Sequence, residues 1–175
     1  IICLLTFLAY ASMFQTFFKT MDDQYSIVDN PMIRSLDNIE TIFKSSYFGD
    51  RAYYRPLVTF SYALEYRFFK LNAFFYYFTN LFLHIGTAVG VFYLMTLITR
   101  ERLTGFWTSL LFAIHPVQWE AVSNIPGRSI LLSSFFTVMA FVCFCLRRKK
   151  TAVYVMSLFF FVLALLSKEA STILP

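Results

Sequence analysis

Charge is what this chain has least of. Of 175 residues, 14% are Asp, Glu, Lys or Arg and 58% are hydrophobic, whereas a soluble domain carries about 25% charged residues. That excludes an ordinary water-soluble domain. Histidine is scarcer still, with His84 and His115 alone. There is no H-E-x-x-H pair and no run of carboxylates at calcium-loop spacing, which argues against an obligatory metal. Three cysteines, Cys3, Cys143 and Cys145, all lie in apolar runs. Cys143 and Cys145 are two apart, so they do not face each other on a helix. No disulfide framework or metal-finger spacing is present. The net charge of +5 does not point to nucleic acid, because four of the positive charges form one run, Arg147-Arg148-Lys149-Lys150, wedged between apolar segments.

Aromatic and aliphatic residues fill the space that charge leaves, with 23 Phe and a mean hydropathy of +0.62. Apolar runs over 1–18, 74–98, 103–125, 130–146 and 152–166 predict five transmembrane helices, several near the short end of the roughly 17–25 residues that span a bilayer. The fold class expected is therefore all-α and multi-pass, with a long outer loop over 19–73. The dense basic run at Arg147–Lys150 sets the orientation, because short cytoplasmic loops collect Lys and Arg. It puts Arg100-Glu101-Arg102 on the same inner side, and the 19–73 loop and the turn after His115 outside. The start at Ile1 inside an apolar run and the stop at Pro175 predict a piece of a longer protein, with further helices downstream.

The outer loop holds seven Lys/Arg and seven Asp/Glu, yet it reads as structured. Asn30-Pro31 marks a turn. Asp37 followed by Glu40 fits a capping box, with Leu36, Ile39 and Phe43 on one helical face. Arg55-Pro56 opens a second helix, proline being at home in the first turn. Leu57, Phe60, Leu64, Phe68 and Leu71 make an apolar stripe along it. Both helices are amphipathic and suit the membrane interface.

Asp22-Asp23 stands just past the first apolar run, and adjacent carboxylates at a bilayer surface are costly enough to mark a functional site. A second polar element follows residue 114. Pro116 and Pro126-Gly127 break the helix and free carbonyls, which at membrane depth must be buried in protein or line a wet cavity. His115 and Glu120 are thereby expected to face a cavity. Arg128 opens the next helix, and Lys168-Glu169 closes the last run on the same side. Topology thus gathers Asp22, Asp23, Arg55, His115, Glu120, Arg128, Lys168 and Glu169 on one face. Asn80 and His84, inside the second membrane helix, read first as helix–helix hydrogen-bonding residues.

The order MDDQYSIVDNP (21–31), NIETIF (38–43), YRPLVTFSYALEY (54–66), NLFLH (80–84), LFAIHPVQWEAV (111–122), GRSILL (127–132) and LLSKEASTILP (165–175) resembles the membrane half of the transmembrane and tetratricopeptide repeat-containing O-mannosyltransferases and their bacterial relatives. More distantly it resembles the protein O-mannosyltransferases and other GT-C-fold glycosyltransferases. The resemblance covers nearly the whole chain. It implies a partial GT-C helix bundle, with tetratricopeptide repeats lying downstream. It also implies transfer of a hexose, mannose first, from a polyprenyl-phosphate carrier to a protein hydroxyl on the outer or lumenal side. The family's first outer loop carries an acidic pair, usually Asp-Glu, whose first member is the base. Here that pair is Asp22-Asp23, so Asp22 is the first candidate, and the departure at the second position leaves open which of the two acts. Arg128, Arg55 and Lys168 become candidates for the lipid phosphate. His115, Glu120, Glu169, Asn80 and His84 would line the cavity without assigned roles. No cofactor is implied beyond the donor substrate. Either a bacterial plasma membrane or an endoplasmic reticulum membrane would suit, the bacterial one being favoured. The part on its own is expected to be inactive. Two rival functions are a non-catalytic membrane anchor for a soluble domain and, less favoured, a transporter, which would carry its acids mid-helix.

Overall fold

The computed structural model describes residues 1–14, 17–45, 53–146 and 150–173. The described residues contain helices and turns and no strand. Helix α1 (Ile2–Tyr10) ends in a 3-10 turn, and a short turn of helix, α2 (Met21–Asp23), passes into a wider π turn. The loop continues through α3 (Ile39–Lys44) and α4 (Pro56–Phe69). The bundle proper is α5 (Ala73–Thr99), α6 (Arg102–Ile114), α7 (Trp119–Ser123), α8 (Arg128–Leu146) and α9 (Thr151–Ser167), closed by a 3-10 segment, Glu169–Ile173.

Among the described residues two helices are long and apolar enough to cross a membrane, Ala73–Thr99 and Ile125–Leu146, against five expected. The third expected span, 103–125, is divided by Pro116 into α6, a 3-10 turn and α7. Proline has no N–H and its ring clashes with the preceding turn, so the helix stops. The first and last runs form the shorter helices Ile2–Met13 and Thr151–Ser167. Residues 147–149 of the basic run lie outside the described residues.

The α5 boundaries are set by local chemistry. Asn72 caps its start by accepting from the Phe74 N–H at 3.2 Å, and Arg100 ends it in the left-handed region at φ 62°. Helix α5 then packs on α6 and α8, α8 on α9, and α1 on α5 and α6. Gly105 allows the α5–α6 approach, since a Cβ there would lie 2.9 Å from the Phe92 carbonyl oxygen. The buried core is not at mid-bundle. It gathers Met13, Ile27, Ile33, Ile42, Val58 and Tyr62 from one end of the chain with Tyr76, Leu81, Val122 and Ile125, so the long loop and the outer ends of α5 and α8 form one packed cap.

Phe60 of the α4 stripe packs against that core, whereas Leu64, Phe68 and Leu71 are 43%, 71% and 41% exposed and Val58, Tyr62 and Glu65 point inward. One local expectation is corrected here: Asp37 and Glu40 do not form a capping box. Ser35 caps the 3-10 turn there through Asp37 N–H, and α3 has no side-chain cap.

Candidate functional site

A capping box does form, at the acidic pair. Thr20 Oγ1 accepts from Asp23 N–H at 3.1 Å, and Asp23 Oδ2 accepts from the N–H groups of Thr20 at 2.9 Å and Lys19 at 2.8 Å. These bonds satisfy the orphan donors of a helix start. Asp23 is consequently fully buried, whereas Asp22, one residue earlier, is exposed. The two carboxylates therefore face different surroundings. The capped turn packs against the 125–127 segment, which brings Asp22 to a cleft of about 440 Å³.

Asp22, Arg55, Gln118, Glu120, Asn124 and Lys168 supply the polar lining of that cleft. Arg55 donates from Nε to Glu169 Oε2 at 3.0 Å and also pairs through Nη2 with Oε1. This bidentate bond is the main reason the Glu169 carboxyl lies below its ordinary range, with burial opposing it. Asp22, Glu120 and Lys168 make no hydrogen bond or ion pair through their side chains with described residues. The cleft thus presents two carboxylates without hydrogen-bond partners and the Lys168 ammonium group, whose charge also acts on Glu169, beside an arginine already braced.

The wall carrying Glu120 is irregular backbone, and its carbonyls are accounted for individually. Pro116 turns the chain so that Val117 N–H bonds His115 Nδ1 at 3.2 Å instead of a helical carbonyl. The Ala113 carbonyl receives His84 Nε2–H at 2.8 Å, which fixes the proton on Nε2. Asn80 Nδ2 donates to the carbonyls of Asn124 at 2.9 Å and Val122 at 3.4 Å, and Tyr62 Oη donates to that of Ile125 at 3.0 Å. Gly127 is required at its position, because a Cβ would stand 2.1 Å from the Ala121 carbonyl oxygen.

Arg128 is part of this frame and does not reach the cleft. It is fully buried and donates to Asn80 Oδ1 at 2.5 Å, Ser61 Oγ at 3.4 Å and the Tyr76 carbonyl at 2.9 Å, with Glu65 at 3.2 Å as counter-charge. Its guanidinium also lies over the Tyr62 ring. Buried among these partners, its guanidinium lies in the frame behind the cleft and not in its lining, where a phosphate contact had been expected. Asn80 and His84 are buried hydrogen-bonding partners, the first of the two sequence readings, and do not line this cleft as the resemblance implied. His115 is exposed, bonds its own turn and likewise does not line the cleft, which corrects the expectation that it faces it. Glu65 is the residue the sequence reading passed over; a glutamate on the side of α4 away from the apolar stripe was the available signal. Among the described residues no three His, Cys, Asp or Glu side chains gather as a metal site would need.

No protein-family model matches the chain, and no solved structure matches it. Curated proteins do. The chain is 32% identical over 160 residues to the protein O-mannosyl-transferase F38B6.6 of Caenorhabditis elegans, covering 85% of this chain and 22% of that protein. It is 31% identical over 130 residues to human protein O-mannosyl-transferase TMTC3, covering 70% and 14%. Over 99 residues it is 37% identical to protein O-mannosyl-transferase tmtc2 of Xenopus laevis, covering 55% and 12%. The chain spans 22% or less of the length of these relatives. By sequence it belongs to the family of the TMTC protein O-mannosyl-transferases.

Proposed function

We propose that this chain forms part of a membrane-embedded glycosyltransferase. It moves a hexose, mannose by analogy with the names of its relatives, from a polyprenyl-phosphate carrier to a protein hydroxyl. The observation that carries this reading is the cleft, where unpartnered Asp22 shares one wall system with Arg55 and Lys168. An acceptor hydroxyl is a poor nucleophile, and a carboxylate within reach removes its proton as it attacks. The new bond joins the acceptor oxygen to the anomeric carbon, the bond from that carbon to the phosphate oxygen breaks, and the proton passes to Asp22. The leaving polyprenyl phosphate gains one negative charge, which the Arg55 and Lys168 cations stabilise. A single displacement with no covalent nucleophile inverts the anomeric centre.

Membrane embedding is supported by the two long apolar helices, whose apolar stretches are only 28% and 22% buried; a soluble protein's core helix would be mostly covered. The relatives named above are animal proteins, so an endoplasmic reticulum membrane replaces the bacterial one as the favoured location. The rival reading, a membrane anchor without catalysis, has no use for unspent carboxylates in a cleft.

The test is transfer of radiolabelled mannose from polyprenyl phosphate to protein by the full-length parent in membranes. Asp22→Asn is expected to lower transfer about 100-fold or more, with normal insertion. Asp23→Asn keeps an acceptor oxygen for the cap and retains measurable transfer. Labelling in D22N equal to wild type removes Asp22 from catalysis. Loss in Glu120→Gln with D22N active moves the base to α7.

A further inference from the structure

Glu65 is a carboxylate in an expensive place. It is 7% exposed, and neither of its oxygens accepts a hydrogen bond from a described residue. What it has is the ion pair with Arg128 Nη1 at 3.2 Å, and Arg128 is itself fully buried. A buried pair of this kind is often worth no more to stability than two apolar side chains of similar volume, because desolvating both charges offsets their attraction. Removing one partner, by contrast, strands a charge that a guanidinium cannot shed. Stability alone therefore gives no reason for the pair, and its geometry supplies one.

Arg128 can only donate, so the Asn80 atom 2.5 Å from its Nε is the amide oxygen. That contact fixes which way the Asn80 amide lies, and its Nδ2 group then meets the carbonyls of Val122 and Asn124. Without the guanidinium the amide is free to turn over and set its oxygen against two carbonyls that need donors. The same guanidinium lies over the ring of Tyr62, whose Oη donates to the Ile125 carbonyl at 3.0 Å. The 122–125 backbone is thus held from behind through side chains that Arg128 touches. Its front and the turn after it carry Asn124, Pro126 and Gly127 into the cleft, and the turn bearing Asp22 packs on 125–127. From Glu65 to the candidate base the contacts are therefore continuous.

We propose that Glu65 and Arg128 are positioning residues for the transfer reaction. Glu65 keeps the Arg128 charge in the protein interior, Arg128 orients Asn80, and Asn80 sets the wall on which the Asp22 turn rests. Neither Glu65 nor Arg128 lines the cleft, so both act through that wall. A wall displaced by about 1 Å carries the Asp22 carboxylate away from the acceptor proton, and misplacement on that scale lowers a rate by up to about 100-fold. This assignment rests on the glycosyltransferase reading above and adds to it what holds the base in place.

The experiment uses the full-length parent protein in membranes. Glu65→Leu/Arg128→Met replaces the pair with apolar side chains, so no charge is stranded and thermal stability is expected to hold. Its kcat is expected to fall about tenfold or more. The KM values for polyprenyl-phosphate mannose and for an acceptor peptide should stay within about twofold of wild type. Arg128→Lys keeps the charge but not the fork, and is expected to lose kcat likewise. Wild-type kcat in the double variant overturns the proposal. A second readout needs no turnover: with the native cysteines replaced, Asn124→Cys and Ser109→Cys are labelled by a maleimide in opened microsomes. Asn124 is half-buried on the cleft wall, and Ser109 is buried between α5 and α6. In the double variant Asn124→Cys is expected to react about tenfold faster, with Ser109→Cys still protected. Unchanged labelling of Asn124→Cys overturns the proposal. So does a rise at both sites, since the pair then only holds the fold. Release at 124 alone in a parent that transfers no sugar supports the positioning role, an outcome in which the function reading alone has failed. Wild-type transfer with a tight wall removes the positioning role and leaves the function standing.

Discussion

At the residue scale, the site is a problem of backbone carbonyls before it is one of catalysis. Proline at 116 and proline-glycine at 126–127 free buried acceptors, and Asn80, His84 and Tyr62 are spent on them. Leaving such a group buried and unpaired costs about 1–3 kcal/mol. Asn80→Leu and His84→Phe should therefore each lower the unfolding free energy by about that much. Thermal unfolding of the purified full-length protein reads the loss, and it should occur equally in a background made inactive by D22N. A loss of transfer with no change in stability would instead make Asn80 or His84 a substrate contact. The sequence showed these two as interior hydrogen-bonders because polar residues inside an apolar run have few other uses. It could not show the direction of Arg128. A guanidinium that opens a helix after Pro-Gly suits an anion outside or a carboxylate inside equally well, and its partner Glu65 is brought to it by the fold. The division of labour in the acidic pair was hidden for the same reason: a cap is defined by which N–H groups a side chain meets.

At the element scale, amphipathic α4 shows why an apolar stripe does not by itself say what it faces. In water the stripe would turn to the core. Here Leu64, Phe68 and Leu71 face outward while Glu65 and Tyr62 face in, the arrangement expected of a helix lying against lipid with its polar face on the bundle. The presence and start of α4 were legible from Arg55-Pro56, but its rotation about its axis was not. The Arg55–Glu169 pair then ties the head of α4 to the segment after α9. Because the Glu169 carboxyl is held below its ordinary range by Arg55, it binds fewer protons folded than unfolded, and stability from the pair is present above the unfolded carboxylate pKa. It is lost as pH falls through the depressed folded value. Comparing wild type with Glu169→Gln across pH, the difference in melting temperature should be constant near neutrality and vanish under acid conditions. Glu169 is half exposed, so the difference will be small. A difference that grows on acidification would contradict the ion-pair account.

At the scale of the whole molecule, connectivity constrains what length alone leaves open. Asp22 precedes α5, Glu120 follows α6, and Lys168 follows α9, yet all three line one cleft. The chain must therefore leave the cleft end along α5 and return along α6, then leave along α8 and return along α9. If α5 crosses the bilayer, α6 with the turn after it crosses back, although α6 alone, at about 20 Å, is shorter than the roughly 30 Å hydrocarbon layer. The broken backbone at Pro116 is what shortens it, and the packed cap of loop and helix ends encloses that break. The prediction is one of sidedness, measured on the full-length parent in sealed microsomes after its native cysteines are replaced. Arg102→Cys and Lys150→Cys should react with an impermeant maleimide added outside the vesicles. Thr41→Cys, on the exposed side of α3, and Glu120→Cys should react only after the membrane is opened. Reaction of Thr41→Cys and Lys150→Cys together in sealed vesicles would mean that the cleft and the basic run share one face, and a lipid-linked donor could not then reach Asp22 from the lumenal leaflet.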